Sequence, residues 1–243
     1  MQEGKSEPIV STTSSGRTSA QATVPADVTE FVHQVAVRWD RHLGERLAGI
    51  YLVGSLAHGG YSARYSDIDM ALIAEQPLTA AEHDRLKEEA VQRSAGLAAR
   101  LSLFWADAQF AAGRFPLLDR TDYLDHAAVL LERRHVVPER PTLTEVQTYL
   151  RGEPLDKWSR QVARLAALED LTREDCKPYL RALLYPARFL YSWDTGTVAS
   201  NDDAVAYVHS RNLFGADIDL LLRALRCRND GDDPASLFSE RRS

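Results

Sequence analysis

Gly54-Ser55-Leu56-Ala57-His58-Gly59-Gly60-Tyr61-Ser62-Ala63-Arg64-Tyr65-Ser66-Asp67-Ile68-Asp69 is the stretch whose reading decides the fold. It opens on a Gly-Ser turn and closes on two carboxylates spaced i and i+2. The β-favouring run Ile50-Tyr51-Leu52-Val53 precedes it. Behind it, Asp67 to Ile73 alternates, with Asp67, Asp69 and Ala71 on one face and Ile68, Met70 and Leu72 on the other. The pattern predicts strand, turn and second strand.

Two acids projecting from one face of a strand stay ionised together only when a cation sits between them. Carboxylate oxygens suit Mg²⁺, which takes one or two carboxylates and completes its shell with water and substrate phosphates. Asp67 and Asp69 are therefore the candidate metal ligands. Gly54 permits close approach of the backbone to a phosphate, and the Ser55 hydroxyl with neighbouring N–H groups can donate to its oxygens. Arg64 adds positive charge nearby. A lone D-x-D more often marks a solvated face. Here the acids begin an otherwise apolar strand that pairs with one ending in Gly-Ser.

Working outward, Asp27 and Glu30 have capping-box spacing, and Phe31, Val32, Val35 and Trp39 recur at helical intervals, predicting a helix to about Leu47. Thr79 and Glu82 open a second helix expected to reach Arg100, after which Leu101 to Trp105 returns to strand character. Val129-Leu130-Leu131 adds an edge strand before Pro138 and Pro141 break the chain. Beyond that break the pattern is helical, with Thr142, Thr172, Asp202 and Asp217 near helix starts and Pro178 and Pro186 expected to begin or kink their helix. The expected fold class is α+β: a small mixed sheet followed by an all-helical C-terminal domain. The expected divisions are a disordered tail over 1–24, an α/β domain over 25–138, a helical domain over 139–228 and a mobile tail over 229–243.

The 243 residues are 44% apolar and 26% charged, ample for a buried core. Lys+Arg 29 against Asp+Glu 35 gives a net charge of −6, which argues against a protein built to grip a phosphate backbone. Cys176 and Cys227 stand far apart, outside any C-x-x-C, so neither a zinc site nor a disulfide framework is expected. No apolar run approaches the ~20 residues of a membrane span. A cytoplasmic protein without membrane or nucleic-acid partners is the expectation.

The Gly54-Ser55 and Ser66-Asp67-Ile68-Asp69 pairing resembles the signature of the nucleotidyltransferase superfamily, which includes DNA polymerase beta and the antibiotic nucleotidyltransferases. The likeness spans roughly residues 30 to 135 in element order. It implies an NTP, expected to be ATP, bound with Mg²⁺, and transfer of a nucleoside monophosphate to a small-molecule hydroxyl with release of pyrophosphate. A second stretch, Arg188 to Ala204, resembles the C-terminal domain of the spectinomycin and streptomycin type of aminoglycoside adenylyltransferase, through its Arg188 and its Thr195-Gly196 turn. An aminoglycoside is the acceptor this implies, with antibiotic resistance as the setting. Asn201 stands where that family has a phosphate-side Lys, and Ser102 where it has a strand Glu thought to act as base.

The superfamily usually needs a third acid on the strand after the intervening helix. Asp107 is the candidate, although strand parity turns it away if Ser102 faces the site; Asp119 and Asp122 are loop alternatives. The candidate set is then Asp67, Asp69 and Asp107 for catalysis, the first two also for metal, and Gly54, Ser55, Arg64, Ser66 and Arg188 for the nucleotide. His58, in the hairpin loop, and His126 carry smaller weight, as loop and helix-end residues. Ser102 and Asn201 also support a rival expectation, a nucleotide sensor or toxin partner of the same fold with weak or no turnover.

Overall fold

The computed structural model describes residues 24–213 and 217–240, so the tail expected over 1–24 lies, but for Val24, outside the described residues. The chain is α+β, as expected. Helix α1 (Ala26–Leu43) precedes β1 (Leu47–Leu52), a four-residue helix α2 (Ser55–His58) and β2 (Ile68–Ala74). Then come α3 (Ala80–Arg93), α4 (Ala95–Ala98), β3 (Leu101–Asp107), β4 (Gly113–Arg114), α5 (Leu117–His126) and β5 (Ala128–Glu132). The rest is helical: α6 (Leu143–Arg151), α7 (Glu153–Ala166), α8 (Arg173–Thr195), α9 (Asn201–Arg211), α10 (Ile218–Asn229) and α11 (Pro234–Glu240).

The sheet runs in the order β4-β3-β2-β1-β5. β1 and β2 pair antiparallel with Leu52 opposite Met70, β5 adds to β1 antiparallel, and β3 lies parallel to β2 with Ser102 opposite Asp69. The antiparallel neighbours agree with the hairpin reading. The connection holds the short helix α2 rather than a plain turn.

One face of the sheet is wholly apolar. Ile50, Ile68, Met70, Leu72 and Leu103 pack against Phe31, Val35 and Trp39 of α1 and Leu86 and Ala90 of α3. Trp39 is fully enclosed and its indole N–H donates to the Leu86 carbonyl, which ties the two helices together. The other face holds Tyr51, Ala71, Ile73, Phe104 and Ala106 under Tyr123 of α5. A third core, from Tyr65 through Leu180, Leu184, Val205 and Leu225 to Phe238, belongs to the helices.

Several boundaries moved for local reasons. The capping box at Thr79 and Glu82 is present, but the helix breaks at extended Ser94, whose side chain caps Leu97 N–H and starts α4. Asp27 lies inside α1 rather than capping it. Pro178 and Pro186 sit within one continuous 23-residue helix. The stretch expected as a mobile tail carries α11, because Leu237 and Phe238 have an apolar core to enter.

Candidate active site

The carboxylates gather at the β1/β2 end of the sheet, on the face that α5 covers only in part. Asp69 is the second residue of β2, with Ser102 as its neighbour on β3, and Asp67 precedes the strand. Gly54 has φ +65°, and a Cβ there would lie 2.5 Å from an Asp69 carboxylate oxygen. Only glycine lets β1 turn this close to the acid. The Gly54 N–H donates to the carboxylate of Asp122 on α5, which also bonds the His126 ring at 3.1 Å. His58, at the end of α2, stacks edge-on against His126 with centroids 5.5 Å apart.

Burial and the Asp67 charge raise Asp69 to about 6, against an opposing hydrogen bond from Ser102. Burial and the charges of Asp69 and Asp122 push Asp119, on α5, up to about 7. Burial opposes ionisation of Asp122, but His126, His58 and the Gly54 N–H outweigh it and hold this acid below its ordinary value. The Asp122 hydrogen bond raises His126, whereas burial lowers His58, whose Nδ1 is enclosed without a partner. Two neighbouring acids thus hold a repulsion that no protein cation fully relieves.

The helical part closes the site through α8. Lys177 and Arg181, one turn apart, each bond a different oxygen of Asp67 at 2.5 Å. Burial opposes ionisation of Asp67, yet these two cations hold it below the usual range. Arg188 lies over Tyr185 at 5.7 Å, and its charge reaches both His58 and Asp119. Arg228 of α10 reaches back to the Gly60 carbonyl and the Ser66 hydroxyl.

Asp67, Asp69, Gly54 and Arg188 therefore belong to one charged cluster, and Ser55 follows Gly54 at the start of α2. Three other expected residues have different surroundings. Asp107 pairs with Ala74, five residues up the parallel register from Ser102, or about 16 Å along the strand. It is buried and accepts from Ala111 and Ala112 N–H groups, closing the turn into β4. Ser66 is enclosed, its hydroxyl bonded by Ser62 N–H and Arg228 and its carbonyl by Arg100, so it pins the seam between sheet and helices. Arg64 stacks over Tyr65 at 5.1 Å, and its charge acts on Tyr65 and Cys176 in the helical core. Asp119 and Asp122, both on a helix rather than a loop, are the acids whose charges couple to Asp69.

Lys177, Arg181 and Arg228 were missed by sequence reading. Lys177, Arg181 and Arg188 follow i, i+4, i+11 spacing, which puts them on one helix face. That periodicity was visible, but nothing in it says which surface the face meets.

A sheet of this order, a glycine pressed against the second acid of a D-x-D, and helices closing over the first define the nucleotidyltransferase fold. The chain shares it with spectinomycin adenyltransferase AAD(9) from Enterococcus faecialis, solved with ATP and spectinomycin: TM-score 0.59 and 16% identity, over 87% of this chain and 96% of that one. Two toxin–antitoxin structures, an MntA-HpeT mutant and a complex with AMP-PNP, give TM-scores of only 0.31 and 0.30 at 18% and 19% identity. Each covers 55% of this chain and 93% of the other. No protein-family model and no curated protein matches the chain. Among the described residues no helix is long and apolar enough to cross a membrane.

Among the described residues no group of three His, Cys, Asp or Glu side chains is arranged to hold a metal ion. The donor chemistry nevertheless fits a divalent cation. Asp69 and Asp119 are raised by burial and by neighbouring carboxylates, the condition a bound cation relieves.

Proposed function

We propose that the protein is a nucleotidyltransferase that moves a nucleoside monophosphate, AMP from ATP, to a hydroxyl of a small molecule and releases pyrophosphate. The observation that carries this reading is Asp69 wedged against Gly54, with Asp67 beside it and the charge of Asp119 on α5 coupled to it. Asp67 and Asp69 would hold Mg²⁺, which supplies charge neutralisation on the phosphates when bound. Gly54 and Ser55 offer backbone and hydroxyl donors to the phosphate oxygens, and Arg188 adds a cation from the opposite wall. Asp119, raised to about 7, has the affinity suited to taking the acceptor hydroxyl proton near neutral pH. That assignment supplies from α5 the carboxylate that Ser102 does not provide on β3.

An aminoglycoside would suit an acidic acceptor pocket. The face of α8 carries Lys177, Arg181 and Arg188, charges that Asp67 and the triphosphate take up, so they do not bar a cationic acceptor. The acceptor we propose is a small hydroxyl compound, an aminoglycoside among the candidates, used in the cytoplasm, where the free, buried Cys176 and Cys227 stay reduced. Ser102 opposite Asp69 favours one second reading, nucleotide binding with little or no turnover.

Pyrophosphate release from each NTP with Mg²⁺, over aminoglycosides and neutral and acidic hydroxyl compounds, tests the proposal. Release with ATP that depends on an added hydroxyl compound is the expected result. Calorimetric binding of Mg²⁺-ATP without release over the whole panel selects the second reading. Absence of binding as well contradicts both.

A further inference from the structure

The cations facing the cleft are more numerous than the ion pairs they make. Lys177 and Arg181 spend their charge on the two oxygens of Asp67, an acid proposed to hold metal. Neither Arg188 nor Arg228 has a carboxylate in ion-pair contact among the described residues. Arg228 is half-buried, its Nε is enclosed without a partner, and burial followed by the Arg188 and Arg181 charges holds it below its ordinary value. Arg181 and Arg188 flank one ring, that of Tyr185, at 6.0 and 5.7 Å. Like charges crowded in this way are unfavourable unless an anion enters among them.

The charges match such an anion in number. A nucleoside triphosphate brings roughly four negative charges at neutral pH. Lys177, Arg181, Arg188 and Arg228 supply four positive ones once Asp67 no longer holds the first two. The three on α8 span about 16 Å of helix axis and reach the cleft on flexible side chains. The Lys177 and Arg181 charges on the Asp67 oxygens oppose a divalent cation at the same carboxylate, so metal entry favours release of these two side chains.

We infer that Lys177 and Arg181 form an exchangeable clamp: in the nucleotide-free protein they neutralise Asp67, and when Asp67 takes the divalent cation they turn to the triphosphate. This rests on the nucleotidyltransferase reading and adds two nucleotide-binding residues to it. The exchange makes metal and nucleotide mutually dependent, because each frees the partner the other needs. It also keeps Asp67 neutralised while the site is unliganded.

The clamp predicts opposite signs for two ligands, which a purely structural ion pair does not. Calorimetry on the full chain would compare Mg²⁺ alone, ATP in EDTA, and Mg²⁺-ATP. In the double variant Lys177→Gln with Arg181→Gln, Mg²⁺ alone should bind about tenfold tighter or more, while ATP in EDTA binds about tenfold weaker or more. Asp67→Asn should do the reverse, tightening ATP in EDTA severalfold and weakening Mg²⁺; it carries the test alone if the double variant fails to fold by circular dichroism. Changes of the same sign for both ligands, or no change in either, overturn the clamp while leaving wild-type Mg²⁺-ATP binding, and with it the proposed function, intact. A wild-type protein that binds no Mg²⁺-ATP overturns both.

Discussion

The two faces of the sheet are made from the same strands and serve opposite ends. On β2, Ile68, Met70 and Leu72 enter a wholly apolar layer under α1 and α3. The residues between them place Asp69, Ala71 and Ile73 on the other face, apolar at its far end under Tyr123 and acidic at the end facing α8. A one-residue alternation thus separates what holds the fold from what gives the site its charge. The acidic end stores repulsion, and the apolar face supplies the stability that keeps those acids together.

The contrast can be broken from either side, and the largest effect is expected on the acidic one. Asp119→Asn should lower turnover by about 10²- to 10⁴-fold, the range for loss of a general base, while Mg²⁺-ATP binding measured by calorimetry changes little. The wild-type rate should rise with pH as the Asp119 carboxyl loses its proton, below the metal-free value of about 7 because the bound cation relieves the repulsion, and the variant should lose that step. On the apolar face Trp39→Ala should cost about 3–5 kcal/mol in denaturant unfolding, through the cavity and the lost indole bond to the Leu86 carbonyl. If Trp39→Ala instead abolished nucleotide binding in protein that stayed folded, the division between the faces would be wrong.

Gly54→Ala joins the two faces and should be intermediate. Its Cβ would meet the Asp69 carboxylate at 2.5 Å in a backbone conformation of φ +65°, so the acid must move. Mg²⁺-ATP affinity should drop by about tenfold, with at most ~1–2 kcal/mol lost in stability.

The smallest effect is on stability against pH. Asp69 and Asp119 have folded values of about 6 and 7, above the ~4 of an unfolded chain, so the native state binds more protons between those values. Stability from these groups is therefore greatest at low pH and is lost as pH rises through about 4 to 7. His126, raised by its Asp122 hydrogen bond, acts in the same direction. Asp67 and Asp122, both lowered, act oppositely, and their contribution is lost as pH falls through their folded values. The nucleotide-free protein should melt a few degrees lower at pH 8 than at pH 5, and Asp119→Asn should shrink that difference.

How much of this was legible depended on whether the signal was local. The alternation in Asp67 to Ile73 and the Thr79 and Thr142 capping boxes are encoded within a few residues and appear in the structure, whereas the Gly-Ser turn becomes the start of α2. The family resemblance puts Ser102 where a strand Glu is expected, and the parallel register sets it opposite Asp69. Parity also warned against Asp107, which in the structure closes a turn at the far end of β3. The acids of α5 were harder to read, because Leu117 to His126 follows a Gly/Pro-punctuated connection and reads as loop. The α8 cations were hidden for another reason: their meeting with Asp67 spans more than a hundred residues of sequence and depends on how helix packs on sheet. Those contacts also bring to the cleft positive charge of the kind that Asn201 lacks.

The central claim is that Asp67 and Asp69 form the metal-dependent seat of nucleotidyl transfer. Pyrophosphate release from Mg²⁺-ATP and the best acceptor, wild type against the Asp67→Ala with Asp69→Ala double variant, tests it most directly. The account predicts a loss of at least about 10³-fold, some 4 kcal/mol of transition-state stabilisation, in a protein that still unfolds cooperatively. Turnover surviving in the double variant would contradict it.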